Sequence, residues 1–301
     1  MTPSHDHESG FECRNCSSRD CLPYCMNLPD RLYQKSGRFN YVKCKDCGLV
    51  QLEQIPGNLN EYYAGYRHHA SEPFYYGVIR EIVLGHCYYL PKMQPGAILD
   101  IGCGNGWYLK KMAKKGWRIL GCEFEESYAR LLSQRIAAPV VCREELYSGY
   151  GNHFDVITFH FSFEHVSEPL EYLCLAWKCL KQGGTVYLSV PNIESREARL
   201  FKDKWFALDA PRHITFFTKA LLSESLQKVG FRDIKTKNLA VPTVFAGSVS
   251  YRIAGVFSPW VWYMSILPGM LFSLVVNDGM FCIQATKPRI KNQEVVCTPA
   301  R

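Results

Sequence analysis

The sequence predicts an α/β fold with a mostly parallel sheet, together with a small cysteine-rich domain at the N-terminus. After Gly96, short apolar runs alternate with helical periods of about ten residues, a pattern typical of a parallel sheet covered on both faces. Before that point, six cysteines lie between Cys13 and Cys47, and four of them form two CxxC pairs. The chain is thus expected to combine a hydrophobic core with a separate cysteine site.

The composition excludes a wholly disordered or fibrous chain. The 301 residues are 47% hydrophobic and 21% charged, and the formal net charge is +7. The basic residues are scattered, so the charge permits nucleic-acid binding without indicating it, and no nucleic-acid partner is expected. No secretory signal is visible, which favours a cytoplasmic, reducing setting in which clustered cysteines more often bind metal than form disulfides.

Turn residues and changes of period bound each predicted element. The predicted strands are Ala97–Ile101, Arg118–Cys122, Val140–Arg143, Asp155–Phe159, Thr185–Val190, Ile234–Leu239 and Met280–Thr286. The predicted helices are Trp107–Lys115, Ser127–Ile136, Pro169–Leu180 and Leu221–Val229. Gly183 and Gly184 are predicted to end the third of these helices, and Gly230 the fourth.

A glycine-rich loop joins the first strand to the first helix. The loop Gly102–Gly106 has the spacing GxGxG and follows Asp100. A tight turn whose backbone approaches a ligand needs residues without side chains. Glu123 ends the second strand, where an acidic residue usually meets ribose hydroxyls. A generic strand-to-helix turn is the alternative, and the ordered set of strand, loop, helix and acid argues against it.

These motifs resemble those of the class I S-adenosylmethionine-dependent methyltransferases. The matching segments are 99–106, Gly121–Glu123, Phe154–Ile157, Glu164–Val166 and Lys181–Gly184. The resemblance implies a Rossmann-like, seven-stranded, mostly parallel sheet whose last strand runs antiparallel. Together with the N-terminal cysteines, the chain is similar to bacterial methyltransferases of polysaccharide and natural-product pathways, some of which act on nucleotide-linked sugars.

The resemblance also implies a cofactor site for S-adenosyl-L-methionine. The glycine loop would hold the amino-acid part of the cofactor, Glu123 the ribose, and Glu144 or Glu145 the adenine, while His160 and Phe161 would line the methyl-transfer cleft. The residues assigned to the cofactor are Asp100, Gly102, Cys103, Gly104, Gly106, Glu123, Glu145, His160 and Phe161.

Histidines beyond the fourth and fifth predicted strands are the candidate catalytic bases. His160 and His213 are expected at the carboxyl edge of the sheet, where loops carry substrate contacts. We expect one of the two to accept a proton. His165 is predicted to hold its loop rather than to act in catalysis, with Tyr63 and Tyr66 as further candidates. Some quinone-pathway relatives place a metal-binding carboxylate where this chain has Phe161, so that metal is not expected here.

The paired CxxC motifs predict a zinc ribbon. Each pair can place two thiolates on one side of a turn, and two pairs complete a tetrahedron around Zn²⁺. The predicted ligands are Cys13, Cys16, Cys44 and Cys47. Unligated cysteines or a redox pair are the alternative, and Cys21 and Cys25 are alternative ligands, part of a second site, or packing residues.

The segment 253–276 carries no charged residue, and its length permits a membrane span. The prolines within it, and the return of the chain to the sheet at Met280, argue against a simple span. A buried core helix, an interfacial segment and a shallow hairpin remain as alternatives. Trp260 and its aromatic neighbours favour peripheral membrane contact, and with it a lipid-linked or amphipathic substrate.

The sequence therefore predicts three regions and one leading function. Residues 1–55 form a zinc-ribbon-like domain, 56–93 an aromatic helical linker and 94–290 a methyltransferase domain. The expected function is methyl transfer from S-adenosylmethionine to a small-molecule, saccharide or lipid-linked acceptor. A non-catalytic protein that keeps the cofactor fold is one alternative, and a nucleic-acid methyltransferase that uses the ribbon as a reader is another.

Overall fold

The computed structural model describes residues 11–63, 84–89 and 91–289. The strands are β1 Cys21–Leu28, β2 Phe39–Cys44, β3 Val50–Leu52, β4 Ala97–Ile101, β5 Arg118–Cys122, β6 Val140–Val141, β7 Phe154–His160, β8 Leu180–Pro191, β9 Thr215–Phe216, β10 Arg232–Leu239 and β11 Met280–Thr286. The helices are α1 Leu59–Tyr63, α2 Trp107–Ala113, α3 Glu126–Ile136, α4 Arg143–Gly149, α5 Pro169–Cys179, α6 Arg196–Phe201, α7 Lys219–Val229, α8 Pro242–Ala254 and α9 Pro259–Val275.

The central sheet confirms the predicted fold class. Its seven strands lie in the order β10-β11-β8-β7-β4-β5-β6. The strands from β8 to β6 are parallel, whereas β11 runs antiparallel to both of its neighbours. All five residues of β4 are buried, as expected for a strand covered on both faces. The carboxyl ends of the parallel strands meet at one edge, and the glycine loop lies there.

Two element boundaries differ from the prediction. Helix α5 ends at Cys179 and β8 begins at Leu180, so Gly183 and Gly184 lie inside a strand and do not end the helix. Backbone hydrogen bonds of both glycines to Lys287, directly after β11, hold them in this strand: the Gly183 amide donates to the Lys287 carbonyl at 2.7 Å, and the Lys287 amide donates to the Gly184 carbonyl at 2.9 Å. Strand β6 is shorter than the predicted strand Val140–Arg143. It ends at Val141, because Cys142 forms a capping box and α4 begins at Arg143.

A second sheet joins the N-terminal region to the rest of the chain. Strands β1, β2 and β3 pair antiparallel, and β3 then pairs with β9, which comes from the loop after β8. The Leu52 amide extends this pairing by donating to the Ile214 carbonyl at 2.8 Å. The cysteine-rich region therefore holds the loop that contains β9 through backbone hydrogen bonds from β3.

Helices α8 and α9 form a hairpin inserted between β10 and β11. Their aromatic contacts include Phe245 against Phe272, with ring centroids 4.4 Å apart. Trp260 and Met264 on α9 are 82% and 79% exposed, so the alternative of a buried core helix for this segment is wrong. In the part of the chain that the structure describes, no helix is long and apolar enough to cross a membrane.

Candidate active site

The glycine loop adopts a conformation that favours glycine at three positions. The φ angles of Gly102, Gly104 and Gly106 are +74°, +59° and +76°. An added Cβ at Gly102 would lie 2.3 Å from Cβ of Ser162, so close packing excludes a side chain there. At Gly104 an added Cβ would meet no heavy atom within 4 Å. Gly104 therefore presents bare backbone at the edge of the sheet, as close approach to a ligand requires.

Glu123 lies directly beside this loop. Its Oε1 accepts a hydrogen bond from the Gly104 amide at 2.6 Å, and the residue is 5% exposed. Burial raises the pKa of its carboxyl to about 7. Glu123, predicted to bind the ribose, therefore lies against the glycine loop through the Gly104 amide.

The other residues predicted to bind the cofactor play varied parts. Asp100 is buried, and its Oδ1 accepts a hydrogen bond from the Thr158 hydroxyl at 2.7 Å. Burial raises the pKa of Asp100 well above its usual range. The Cys103 side chain packs in the apolar cluster around α3. Glu145 Oε1 accepts from the Cys142 amide at 3.0 Å and so caps α4.

His160 ends β7 inside a group of aromatic side chains. Its ring centroid lies 4.8 Å from that of Tyr88, 4.5 Å from Tyr108 and 5.5 Å from Tyr187. Among the described residues, neither ring nitrogen of His160 has a hydrogen-bond partner. Burial lowers the pKa of this imidazole to about 3, so it is neutral at physiological pH. Phe161, the next residue, has a φ of +55° and packs edge-on against Tyr88.

A second histidine group lies where the turn after β7 meets the loop before β9. The rings of His165 and His213 pack edge-to-face with centroids 4.5 Å apart. Glu164, His165 and His213 each place one polar atom within 4.8 Å of the others. The same turn reaches the glycine loop, because Ser162, three residues before His165, contacts Gly102.

The hydrogen bond of the His213 ring fixes its tautomer. Nδ1 of His213 lies 2.7 Å from the Ala207 carbonyl. A carbonyl oxygen can only accept, so in the neutral ring Nδ1 carries the hydrogen, and the imidazole is oriented to accept a proton at Nε2. Nδ1 of His165 lies 3.0 Å from both the Arg212 carbonyl, which accepts, and the Tyr63 hydroxyl, which can donate or accept.

The Asp209 carboxylate opposes the effect of burial on the pKa of His213, whereas the Arg212 guanidinium adds to it. Burial lowers the pKa of His213, whereas the Asp209 carboxylate, 4.0 Å from Nε2, favours the protonated ring. Burial would raise the pKa of Asp209, but the Arg212 guanidinium outweighs this and lowers it. Glu164 differs, because burial, with Asp209 adding to it, raises its pKa to about 8. At neutral pH, a largely protonated Glu164 carboxyl thus lies beside the neutral imidazole of His213.

Arg212 connects this site to the cysteine-rich region through a buried ion-pair cluster. Its guanidinium contacts Asp209 at 2.6 and 3.0 Å and Asp30 at 2.8 and 3.1 Å. The side chains of Arg212 and Asp30 are both 0% exposed. The Tyr41 hydroxyl, on β2, donates to the His213 carbonyl at 2.6 Å. The backbone that carries His213 is therefore held from the N-terminal region.

Sequence reasoning gave two residues of this group minor parts. His165 was predicted only to hold its loop, and the Arg212 carbonyl beside its Nδ1 lies far along the chain, where no local motif shows it. Tyr63, a weaker candidate, lies beside it, with its hydroxyl 3.0 Å from Nδ1 of His165. Tyr66 lies outside the described residues.

The four predicted cysteine ligands come together in one cluster. Sγ of Cys13 lies 3.4 Å from that of Cys47, and Sγ of Cys16 lies 3.6 Å from that of Cys44. Four sulfurs at about 2.3 Å from a central zinc ion lie about 3.8 Å apart in a tetrahedron. The four thiols lie within 4.8 Å of one another, so the donor set and spacing fit Zn²⁺. Cys21 and Cys25, on β1, are not part of this cluster.

Sequence comparison identifies the family of the larger part of the chain. A family model described as a methyltransferase domain matches residues 78–236. Among curated proteins, the chain is 28% identical over 168 residues to a ubiquinone biosynthesis O-methyltransferase of Ruegeria sp.. That match covers 52% of this chain and 68% of the relative.

Comparison with solved structures supports the same fold. A chain from the complex of a Haloferax volcanii methyltransferase activator with a methyltransferase gives a TM-score of 0.56 at 14% identity, covering 78% of this chain and 100% of that one. An S-adenosylmethionine-dependent methyltransferase from Archaeoglobus fulgidus gives a TM-score of 0.50 at 18% identity, covering 75% of this chain and 99% of that one.

Proposed function

We propose that this chain, which belongs to the methyltransferase-domain family and is a class I S-adenosylmethionine-dependent methyltransferase, transfers the methyl group to an oxygen. That oxygen belongs to a hydroxyl group of a small-molecule acceptor. The acceptor class that we favour is a saccharide or a lipid-linked compound. The similarity to relatives named as O-methyltransferases supports oxygen as the receiving atom.

The cofactor site proposed for this chain is centred on the glycine loop. S-adenosylmethionine supplies an electrophilic methyl group on a sulfonium sulfur. Gly104 and its neighbours would hold the amino-acid part, and Glu123 would accept hydrogen bonds from the ribose hydroxyls. His160 would line the methyl-transfer cleft as a neutral ring rather than act as the base, because no carboxylate among its described contacts stabilises a proton on it.

The observation that carries the proposal is the orientation of the His213 ring. With Nδ1 donating to the Ala207 carbonyl, Nε2 can accept the proton that the acceptor hydroxyl loses as the methyl arrives. Asp209 then stabilises the imidazolium. General-base assistance of this kind contributes about 10²–10⁴-fold, so positioning beside the cofactor provides the rest.

The test compares His213→Gln with His153→Gln, an exposed histidine at the start of β7. Labelled methyl transfer is measured into a small-molecule extract from cells that lack the protein, and products are identified by mass spectrometry. His213→Gln should lower kcat at least tenfold, at the low end of general-base effects, with cofactor affinity nearly intact. His153→Gln should change neither quantity.

The pH profile gives an independent readout. Because burial lowers the pKa of His213, activity of the wild type should fall only at a pH below the ordinary histidine value of 6.5. Activity that a chelator abolishes and Mg²⁺ restores would instead show that the Glu164–His165–His213 group works with an ion. Wild-type turnover in His213→Gln would remove this histidine from the mechanism.

A further inference from the structure

Helix α9 exposes a continuous apolar surface. Met264, Leu267, Leu271 and Leu274 are 79%, 66%, 60% and 80% exposed, and Trp260, at the helix start, is 82% exposed. No charged residue lies between positions 253 and 276, so the surface itself carries no charge. Apolar patches of this kind mark contact with another surface.

With Tyr263, Met270 and Val275, which are also exposed, the apolar surface covers about 140° of the helix circumference at about 100° per residue. The opposite face, which holds Ser265 and Gly269, packs on α8, and an added Cβ at Gly269 would lie 2.8 Å from the Pro242 carbonyl oxygen. A helix that pairs with one other helix needs only a narrow seam. An apolar arc of this width fits a hydrocarbon phase better than a second copy of the chain.

Basic side chains flank both ends of this surface. Arg252, at the end of α8, is exposed, and Arg31 donates to the Gly255 carbonyl in the turn between the helices. At the other end, Arg196 donates to the Val275 carbonyl. Arg31 and Arg196 pair with nearby aspartates, whereas Arg199, on α6, is exposed, and its one hydrogen bond within the described residues goes to the Glu194 carbonyl. The arrangement matches an anionic, phosphate-bearing surface.

We propose that α9 lies in the plane of a bilayer that contains anionic phospholipid, with its exposed half among the acyl chains and Arg199 and Arg252 at the phosphates. The topology requires a contact from one side, because β10 leads into the hairpin and β11, its antiparallel neighbour, follows it. Exposed Trp and Tyr rings beside Leu and Met are the residue types that interfacial helices use.

A chain of aromatic contacts joins α9 to the loop that carries His213. The Trp262 ring on α9 lies 6.4 Å from that of Phe257, and Phe257 lies 6.1 Å from Phe206. The residue after Phe206, Ala207, accepts the hydrogen bond from His213. An acceptor on a lipid carrier would thus approach His213 from the side of the bilayer. That consequence rests on the proposed function, whereas binding to lipid does not.

The experiment is flotation of the full chain with vesicles of phosphatidylcholine alone and of phosphatidylcholine with phosphatidylglycerol, without cofactor or acceptor. The wild type should bind the mixed vesicles, with a blue shift of fluorescence that is lost in Trp260→Phe. Leu267→Glu and Leu271→Glu should each lower the partition constant at least about tenfold. Leu131→Glu is the matched control, since Leu131 is also exposed, at 57%, but lies on α3, and it should bind like the wild type.

Three results separate the explanations. The double variant Arg199→Gln/Arg252→Gln should bind the mixed vesicles more weakly than the wild type and bind the neutral vesicles as the wild type does. Equal binding of the wild type to both kinds of vesicle would overturn the role of charge. A wild type that floats with neither vesicle would overturn the proposal. A dimer in light scattering that Leu267→Glu dissociates, without vesicle binding, would assign the surface to a second copy. In each case methyl transfer to soluble acceptors remains a separate test, so the proposed function stands or fails by itself.

Discussion

Replacing Asp30 with Asn should damage the active site from the far side of the ion-pair cluster. Asp30 and Arg212 have fully buried side chains, and two contacts join them, at 2.8 and 3.1 Å. In Asp30→Asn an amide group replaces one oxygen, so a donor faces the guanidinium and Asp209 alone compensates its charge. Because Asp209 is the carboxylate beside His213, we expect the substitution to disturb the site as well as the fold.

The expected size follows from burial. Breaking a buried pair by removing one partner costs about 3–5 kcal/mol. Since Arg212 keeps Asp209 and Asn keeps one acceptor oxygen, we expect the free energy of unfolding to fall by about 2–3 kcal/mol. The matched control is Asp203→Asn, which removes the Arg31–Asp203 pair, also between the N-terminal region and the α/β domain. That pair is 3.1 Å long, but Asp203 is 47% exposed, so its loss should cost about 0–1 kcal/mol.

Urea unfolding and turnover measured on the two variants provide the assay. Asp30→Asn should lower both stability and kcat, with cofactor affinity unchanged because Gly104 and Glu123 lie outside the cluster. Asp203→Asn should leave kcat at the wild-type value. Equal stability losses in the two variants, or a wild-type kcat in Asp30→Asn, would refute the argument that this cluster holds the His213 loop.

Three further predictions concern the cofactor and the metal. Gly104→Ala should weaken S-adenosylmethionine binding at least tenfold in calorimetry. The control is Gly255→Ala, because Gly255 has equally open surroundings and a φ of +78°, and it should keep wild-type affinity. Each variant should lose about 1–2 kcal/mol of stability. The pKa of Glu123 is raised to about 7, and binding to ribose hydroxyls requires its carboxylate. The dissociation constant for S-adenosylmethionine should therefore rise about tenfold for each pH unit below 7. A dissociation constant that does not change with pH would contradict this assignment. Metal analysis should find one zinc per chain and none in Cys44→Ser; absence of zinc from protein purified without chelators would overturn the metal site.

The parts of the site that local sequence determines could be predicted. The glycine loop and Glu123 are defined by a strand, a turn and a second strand that follow one another along the chain, and pairing of β4 with β5 brings them together. By contrast, β9 is two residues long and has no periodicity to reveal it. It exists because β3, more than 160 residues earlier in the sequence, offers it a pairing edge.

The histidines show the same limit for side chains. His213 could be identified from its place on a loop past a strand, but whether its Nε2 can accept a proton depends on the Ala207 carbonyl. Nδ1 of His165 lies 3.0 Å from the Arg212 carbonyl, and only the folded chain brings these two groups together. Gly183 shows that a distant contact can also override a local signal. Its sequence predicts the end of a helix, but it lies inside β8, where its amide donates to the Lys287 carbonyl.

The contacts of the cysteine-rich region also determine what metal loss would affect first. If zinc holds the four cysteines, its loss would release the turns that carry them, and the pairing of β3 with β9 would weaken together with the Tyr41 bond to the His213 carbonyl. The glycine loop does not depend on this sheet, because the Gly102 amide donates to the Cys122 carbonyl within the central sheet. Cofactor binding and proton transfer therefore depend on different supports, and removal of the metal should cost turnover well before it costs cofactor affinity.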